Sequence, residues 1–400
     1  MSRTRLYCSP LPSHVESLED RRLLAVDPLT VIVGSGAAKS VQFTDASGTQ
    51  AQVMLSGPGT ASVNFEGTGL SQSANSKGLV VNGSDISLNS ITVNGSTSKS
   101  TLQIITTKKK ALTIGSITAG GALNSLTAPS VTVAGDVATG SGLHVLQLSG
   151  VVGGTISVGS GKVGTLSVSI GSASEASLNS AIPITTLTAS QWVNTPGGGL
   201  SITAPSISTI KVSHDFTADV TAGSIVSMNV RGNLSSSTLN LTTPLTMGKS
   251  LQTLTVGGAI ASTTINAGGN VGTVNAGSMS NSFLYAGLVA SPSDAFPSVT
   301  TDFRNTATIY SVVLKRAASA TFSNSVIAGY NINNVNLGTV SQTNGGTQFG
   351  VAAHDVKSVA IKDLGTGKVV SASNPPTTTT FDNILVSKGV TPADFEVRIV

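Results

Sequence analysis

Residues 251–285, LQTLTVGGAIASTTINAGGNVGTVNAGSMSNSFLY, contain one unit written nearly twice. Leu254-Thr-Val256 opens the first copy and Val274-Asn-Ala276 opens the second, and two more short runs of alternating apolar and polar residues follow each. Gly, Ser and Asn separate the runs. Alternation with a period of two predicts β-strands, and the separating residues favour turns. Three short strands in a repeated unit predict one coil of a parallel β-solenoid.

The unit recurs on both sides of this stretch. The apolar anchor of its first strand returns about every 20 residues, which sets the predicted register. The predicted anchors are Leu126, Leu146, Leu166, Leu187, Ile210, Met228, Leu254, Val274, Val312, Val335, Val359 and Leu385. The interval from Val274 to Val312 is about twice the usual one, which predicts two coils there. A dozen coils stacked about 4.8 Å apart predict a rod about 55–60 Å long.

The predicted fold class is therefore all-β, a right-handed parallel β-helix (β-solenoid) with coils of about 20 residues and three strands. Its handedness is taken from the resemblance to known three-strand coils and not from the residues themselves. Charged residues make up 10% of the 400-residue chain and aromatic residues 4%. That balance, with abundant Gly, Ser and Thr, disfavours helices and suits tightly turned strands.

The chain divides into four predicted regions. They are a leader at 1–28, a strand-rich N-terminal cap at 29–110, the β-helix body at 111–364, and a C-terminal coil with a closing strand at 365–400. In the cap, Ser40-Val-Gln-Phe43 and Ala51-Gln-Val-Met-Leu55 alternate around Asp45-Ala-Ser-Gly48, which predicts a hairpin. The closing strand is predicted at Phe395-Glu-Val-Arg-Ile-Val400.

The leader carries a recognisable segment, Leu18-Glu19-Asp20-Arg21-Arg22-Leu23-Leu24. It resembles the LEPR-XLL segment found at the N-termini of large planctomycete surface proteins. Asp20 stands where that pattern has proline. The resemblance implies an exported, envelope-associated or surface protein, and it implies no chemistry. The residues that would form this sorting or anchoring motif are Leu18, Glu19, Arg21, Leu23 and Leu24.

Several classes of function are not expected. The net charge of +4 is scattered, and the one basic run, Lys108-Lys109-Lys110, lacks the interleaved aromatics of a nucleic-acid site. Polar residues interrupt every long apolar run, so no transmembrane helix is predicted. The sequence has no paired Cys or His at metal-ligand spacing, so no metal site is predicted. No other cofactor is predicted.

The best candidate for chemistry is a polar cluster of Lys211, His214, Asp215 and Asp219. Many parallel β-helices are polysaccharide lyases or hydrolases, and those enzymes resemble one another in presenting acidic clusters on one face. Asp215 and Asp219 face the same side of an alternating strand unless a turn intervenes. Asp215 also shares its corner position with Asp136, where a carboxylate can simply cap the turn.

Trp192 and Phe216 are the candidate aromatic residues for carbohydrate binding. They could stack on a sugar or pack inside the coils.

These features together predict a non-catalytic, exported cell-envelope or surface protein with a structural or adhesin-like role, and no enzyme activity. A carbohydrate-active β-helix, either a polysaccharide lyase or a glycoside hydrolase, is the alternative. A passenger-like or secreted toxin module is a third. The partner is unknown, with cell-envelope polysaccharide and other surface proteins as candidates.

Overall fold

The computed structural model describes residues 27–161, 163–243, 248–289, 295–315 and 321–400. The predicted sorting motif lies outside these residues. Strands account for 62% of the chain and helix for 4%, and parallel coils of about 22 residues stack into a β-solenoid of about 12 turns. The predicted fold class is confirmed.

The elements follow one another in chain order. The first six strands are β1 (Asp27–Gly34), β2 (Ser40–Thr44), β3 (Gln50–Ser56), β4 (Thr60–Asn75), β5 (Gly78–Asn94) and β6 (Thr101–Thr106). The next strands are β7 (Leu112–Ala119), β8 (Leu123–Val133), β9 (Val137–Thr139), β10 (Leu143–Val152), β11 (Thr155–Val158), β12 (Leu166–Ser174), β13 (Ser177–Ser180), β14 (Ile184–Val193), β15 (Ser201–Ala204), β16 (Ile207–Val212), β17 (Asp219–Ala222), β18 (Ile225–Val230), β19 (Leu234–Ser235), β20 (Thr238–Leu241), β21 (Lys249–Ala261), β22 (Thr264–Ala267), β23 (Asn270–Ser280) and β24 (Phe283–Ala286). The last elements are β25 (Thr308–Leu314), β26 (Phe322–Ser323), β27 (Val326–Gly329), β28 (Asn331–Ile332), β29 (Val335–Val340), β30 (Phe349–Ala353), β31 (Asp355–Val356), β32 (Ser358–Asp363), β33 (Val369–Ser373), the helix α1 (Thr378–Ser387) and β34 (Phe395–Ile399). Within the described residues, single turns of 3₁₀ helix lie at Thr107–Lys109 and Thr300–Asp302.

One buried ladder of apolar side chains runs the length of the rod. Parallel pairing joins its members from coil to coil, and each is almost fully buried. The ladder consists of Leu102, Leu126, Leu146, Val168, Leu187, Ile210, Met228, Leu254, Val274, Val312, Val335 and Val359. Twelve rungs at about 4.8 Å spacing span about 53 Å.

Each coil has three faces. Face 1 carries the ladder, and face 2 follows it after a bend, often within the same long strand. Face 3 is built from the short parallel strands β9, β11, β13, β15, β17, β20, β22, β24, β27, β30 and β34. The three-strand coil predicted from the repeat is therefore confirmed.

The turns between faces leave little room for side chains. A Cβ atom placed on Gly154 would fall well inside van der Waals contact of the Gly135 carbonyl oxygen, one coil earlier. Glycine is needed there because successive corners stack directly on each other.

The sequence-based register was wrong at three points. Val168, and not Leu166, continues the ladder from Leu146, while Leu166 pairs with Ile184 in a second inward position. Val274 pairs directly with Val312, so the long interval is one coil with an insertion and not two coils. The third error is Leu385, which lies in α1 and is not an anchor.

The N-terminal cap is mostly antiparallel. The predicted hairpin is confirmed, since Val41 pairs with Val53 across β2 and β3. β1 pairs with β4, β4 with β5, and β3 with β6, all antiparallel. β5 and β6 then pair in parallel with β7 and β8, so the cap passes into the first coils without a break in the core.

The C-terminal end is closed by β33, α1 and β34. The predicted closing strand is confirmed, because β34 pairs in parallel with β30 through Phe395 and Phe349. The Thr377 side chain caps the start of α1 by accepting a hydrogen bond from the Thr380 N–H. Phe381 on α1 is fully buried, with its ring centroid 6.2 Å from that of Phe395. The boundaries of the four regions stay predictions.

Candidate functional site

The predicted polar cluster is spread over strand β16, the corner after it and the start of strand β17. Lys211 is exposed on β16, His214 and Asp215 lie at the corner after it, and Asp219 begins β17 beyond the buried residue Phe216. All of these residues are described, and no ion pair joins Lys211 to either carboxylate. His214 Nδ1 lies 3.3 Å from Ser190 Oγ and 3.2 Å from the Ser190 carbonyl oxygen, one coil earlier.

The carboxylates of this coil accept hydrogen bonds from backbone N–H groups. Asp215 accepts a hydrogen bond from the Asn233 N–H at 2.7 Å, and Asp219 accepts one from the Thr238 N–H at 2.7 Å. Asp136 does the same for the Thr155 N–H at 2.8 Å. Each donor belongs to the following coil, so these side chains join successive coils by charge-assisted hydrogen bonds.

Trp192 and Phe216 are core residues. Both are fully buried, they pair across neighbouring coils, and the Trp192 indole N–H donates to the Ala176 carbonyl at 3.2 Å. The idea that they stack on a sugar is wrong, because the alternation of this face turns both rings inward.

Hydroxyl groups dominate the outer side of face 1. Side chains that stand one above another in the parallel register are half-buried and mostly Ser or Thr. The members in the central coils are Thr186, Thr209, Ser227, Thr253, Thr273 and Ser311.

Face 3 changes character along the rod. Its outward side is polar in the central coils, where Thr203, Thr221, Asn240 and Asn266 follow one another in register. It becomes apolar at Tyr285 and the coils beyond.

The residues between β24 and β25, numbered 287–307 and described except for 290–294, form an insertion that we call the insertion loop. Its side chains Phe296 and Phe303 form a second small core with Val326, Ala328 and Ala352 on the outward side of face 3. The loop thus covers the apolar part of that face.

A groove remains where the insertion loop meets the polar part of face 3. It holds a cavity of about 480 Å³. Asn240, Asn266 and Tyr285 form its floor, and Leu288, Val289 and Arg304 form a wall. No acidic side chain is among the described residues that line it.

Backbone pairing fixes this wall. Leu288 and Phe303 form an antiparallel bridge, and the Arg304 N–H donates to the Gly287 carbonyl at 2.7 Å. The Tyr285 hydroxyl donates to the Ala295 carbonyl at 2.6 Å, which ties the floor to the loop. The described part of the insertion loop and the floor of the groove are therefore joined by hydrogen bonds.

Other parts of the described structure are weaker candidates for a ligand site. A larger cavity of about 670 Å³ lies in the N-terminal cap, between the β2–β3 hairpin and strands β4, β5 and β6, and its lining is mainly polar. Lys108, Lys109 and Lys110 are exposed at the 3₁₀ turn that follows β6. Among the described residues, no group of three or more His, Cys, Asp or Glu side chains is placed to hold a metal ion.

No protein family, no curated protein and no solved structure matches this chain. In the described part of the chain, no helix has the length and apolar character needed to cross a membrane.

The groove was not predicted from sequence, although part of its signal is visible there. Asn266 and Tyr285 occupy equivalent positions in the repeated unit, so their stacking could have been inferred. The long interval before Val312 marks the insertion. The position of Arg304 depends on how that insertion folds back, and no repeat specifies it.

Proposed function

We propose that this chain is a non-catalytic, exported protein of the cell envelope or surface that acts as a rigid structural or adhesin-like rod. The observation that carries the proposal is the use of Asp136, Asp215 and Asp219 as acceptors for backbone N–H groups of the next coil. The chain's sparse carboxylates hold coils together at these corners.

The rod would act through its stiffness and its polar outer surface. Stacked coils give stiffness because the strands of the central coils pair with the coil before and the coil after them. Structured caps at both ends shield the terminal coils from pairing with other chains. The Ser, Thr and Asn columns on the outside present hydroxyl and amide groups to a partner.

The choice of the cell envelope rests on the LEPR-XLL-like segment around Leu18–Leu24. Immunolabelling of intact and permeabilised cells tests it. Labelling of intact cells is the expected result, and labelling that requires permeabilisation would contradict export.

The non-catalytic part has a separate test. Glycoside hydrolysis uses two carboxyl groups that flank the scissile bond. We expect the purified protein to release no new sugar ends from uronate-rich or neutral polysaccharides, measured against a heat-denatured control. Release that disappears in Asp215→Asn or Asp219→Asn would overturn the proposal, because asparagine keeps the backbone acceptor but not the acid.

A further inference from the structure

We propose that the groove bounded by Asn240, Asn266, Tyr285, Leu288 and Arg304 binds a carboxylated oligosaccharide, in which a uronate group pairs with Arg304. The assignment rests on the proposed surface role for its choice of a polysaccharide over a small metabolite. The rest of the argument comes from the groove itself.

Arg304 supplies the charge. Its guanidinium is exposed at the groove wall, and within the described residues no carboxylate forms an ion pair with it. Its backbone is fixed by the hydrogen bond to Gly287 and by the adjacent Leu288–Phe303 bridge. These contacts fix the backbone from which the side chain extends, and the planar guanidinium matches the two oxygens of a carboxylate.

The side-chain amides on the floor of the groove can form hydrogen bonds with sugar hydroxyls. Asn266 donates a side-chain hydrogen bond to the Asn240 side-chain oxygen at 2.9 Å, which orients both amides. That arrangement leaves the Asn240 amide N–H groups as donors and the Asn266 amide oxygen as an acceptor. Adjacent sugar hydroxyls both donate and accept, so they complement this pair. Tyr285 adds an aromatic surface beside it.

The shape favours a polymer. The cavity of about 480 Å³ falls within the usual range for ligand sites, roughly 300–1,000 Å³. A polar column leads away from it along face 3 through Asn240, Thr221, Thr203 and Asn179, one residue per coil. An extended saccharide lying along this column would meet a hydroxyl or amide at each coil.

Isothermal titration with a hexagalacturonate tests the assignment. We expect the unmodified protein to bind it, and Arg304→Gln to weaken binding about 10- to 100-fold, the loss expected for one charge-assisted contact. Lys211→Gln is the matched control, because it removes an equal charge from an exposed side chain on another face. It should change the affinity less than twofold.

Two further ligands distinguish the contribution of the ligand's carboxylates to affinity from the contribution of its length. The methyl-esterified hexamer should bind about as weakly to the unmodified protein as the hexamer binds to Arg304→Gln, since it lacks the carboxylates. Monomeric galacturonate should bind more weakly than the hexamer. Emission from Trp192 checks that each variant is folded.

The outcomes distinguish this inference from the proposed function. No binding of the hexamer at millimolar concentration, or equal losses in Arg304→Gln and Lys211→Gln, would overturn the groove assignment and leave the rod proposal standing. Binding followed by cleavage of the hexamer would support the groove and overturn the non-catalytic proposal.

Discussion

The guanidinium of Arg398, on the last strand, lies over the ring of Phe296 in the insertion loop, 4.0 Å from its centroid. The same group donates to the Phe296 carbonyl at 2.8 Å and pairs with Glu396 at 3.1 Å. The two residues are 102 positions apart in the chain. This contact ties the insertion loop, and with it the groove wall, to the C-terminal cap.

Replacing Arg398 should loosen the loop while leaving the coils intact. We expect Arg398→Ala to lose about 2 kcal/mol of local stabilisation, the upper range for a partly desolvated cation–π contact. Limited proteolysis should then cut within 287–307 faster than in the unmodified protein. Lys362→Ala, at an exposed position on β32, is the control. Equal cleavage rates in both variants would contradict the role of Arg398.

The stacked corner at Gly154 should not tolerate a methyl group. We expect Gly154→Ala to reduce the free energy of unfolding by about 1–3 kcal/mol, because the backbone of the coil before it must shift. Urea unfolding followed by Trp192 emission measures the change. At Gly164 an added Cβ meets nothing within 4 Å, so Gly164→Ala should leave the urea midpoint unchanged. A tolerated alanine at 154 would show that the corners are less tightly stacked.

The hydrogen bond from the Asn233 N–H to Asp215 should be structural. We expect Asp215→Ala to cost about 0.5–2 kcal/mol, as for loss of a side-chain cap on a backbone N–H. Asp215→Asn should recover most of the loss, since its amide oxygen can still accept the bond. Thermal unfolding monitored by circular dichroism compares the two. A large loss with asparagine would indicate that the charge matters.

The C-terminal cap should depend on the buried ring of Phe381. Truncation to alanine leaves a cavity, so we expect Phe381→Ala to cost about 3–5 kcal/mol. Hydrogen exchange should rise first in α1, β33 and β34. Val386 lies on the same helix with 60% of its surface exposed, and Val386→Ala should leave exchange unchanged. Faster exchange spread evenly over all coils would argue against a separable cap.

Asp382 makes the stability of the fold around α1 depend on pH. Burial raises the pKa of its carboxyl above the ordinary value of 3.8, and the negative charge of Glu396 raises it further. The folded state therefore holds this proton more tightly than the unfolded state, and stability is lost as the pH rises through the folded pKa.

We expect Asp382→Asn to be more stable than the unmodified protein at pH 7, by a small rise in Tm on the order of 1 °C. The difference should disappear near pH 3, where the carboxyl is neutral in both states. Thermal scans at both pH values measure it. A stabilisation that persists unchanged in acid would show that charge is not its cause.

The coils could be predicted from the sequence because alternation dictates which side chains face inward. The residue that forms each rung of the ladder could not always be predicted. Leu166, Val168 and Ile170 alternate with polar residues and all three are buried, and only the pairing with Leu146 selects Val168. Helix α1 had a signal that was missed. Phe381 and Leu385 are one helical turn apart, behind the capping residue Thr377.

The functional prediction was limited by a different cause. Asp215 and Asp219 look alike in sequence whether they cap turns or bind a substrate, and only their backbone partners distinguish the two. The groove needs three parts that meet in space, namely the stacked amides, Tyr285 and the folded insertion. A repeat pattern describes the first two and carries no information about the third.

The direct pairing of Val274 with Val312 has a consequence for how such a chain can evolve. The rungs on either side of the insertion stay in register, so the loop can lengthen or shorten without altering the inner ladder, provided that Phe296 and Phe303 still cover face 3. Selection can therefore act on recognition at this one corner while stability is maintained elsewhere. Related chains would be expected to diverge fastest at the positions of 287–307 other than Phe296 and Phe303, and a foreign binding segment could be grafted beside those two residues.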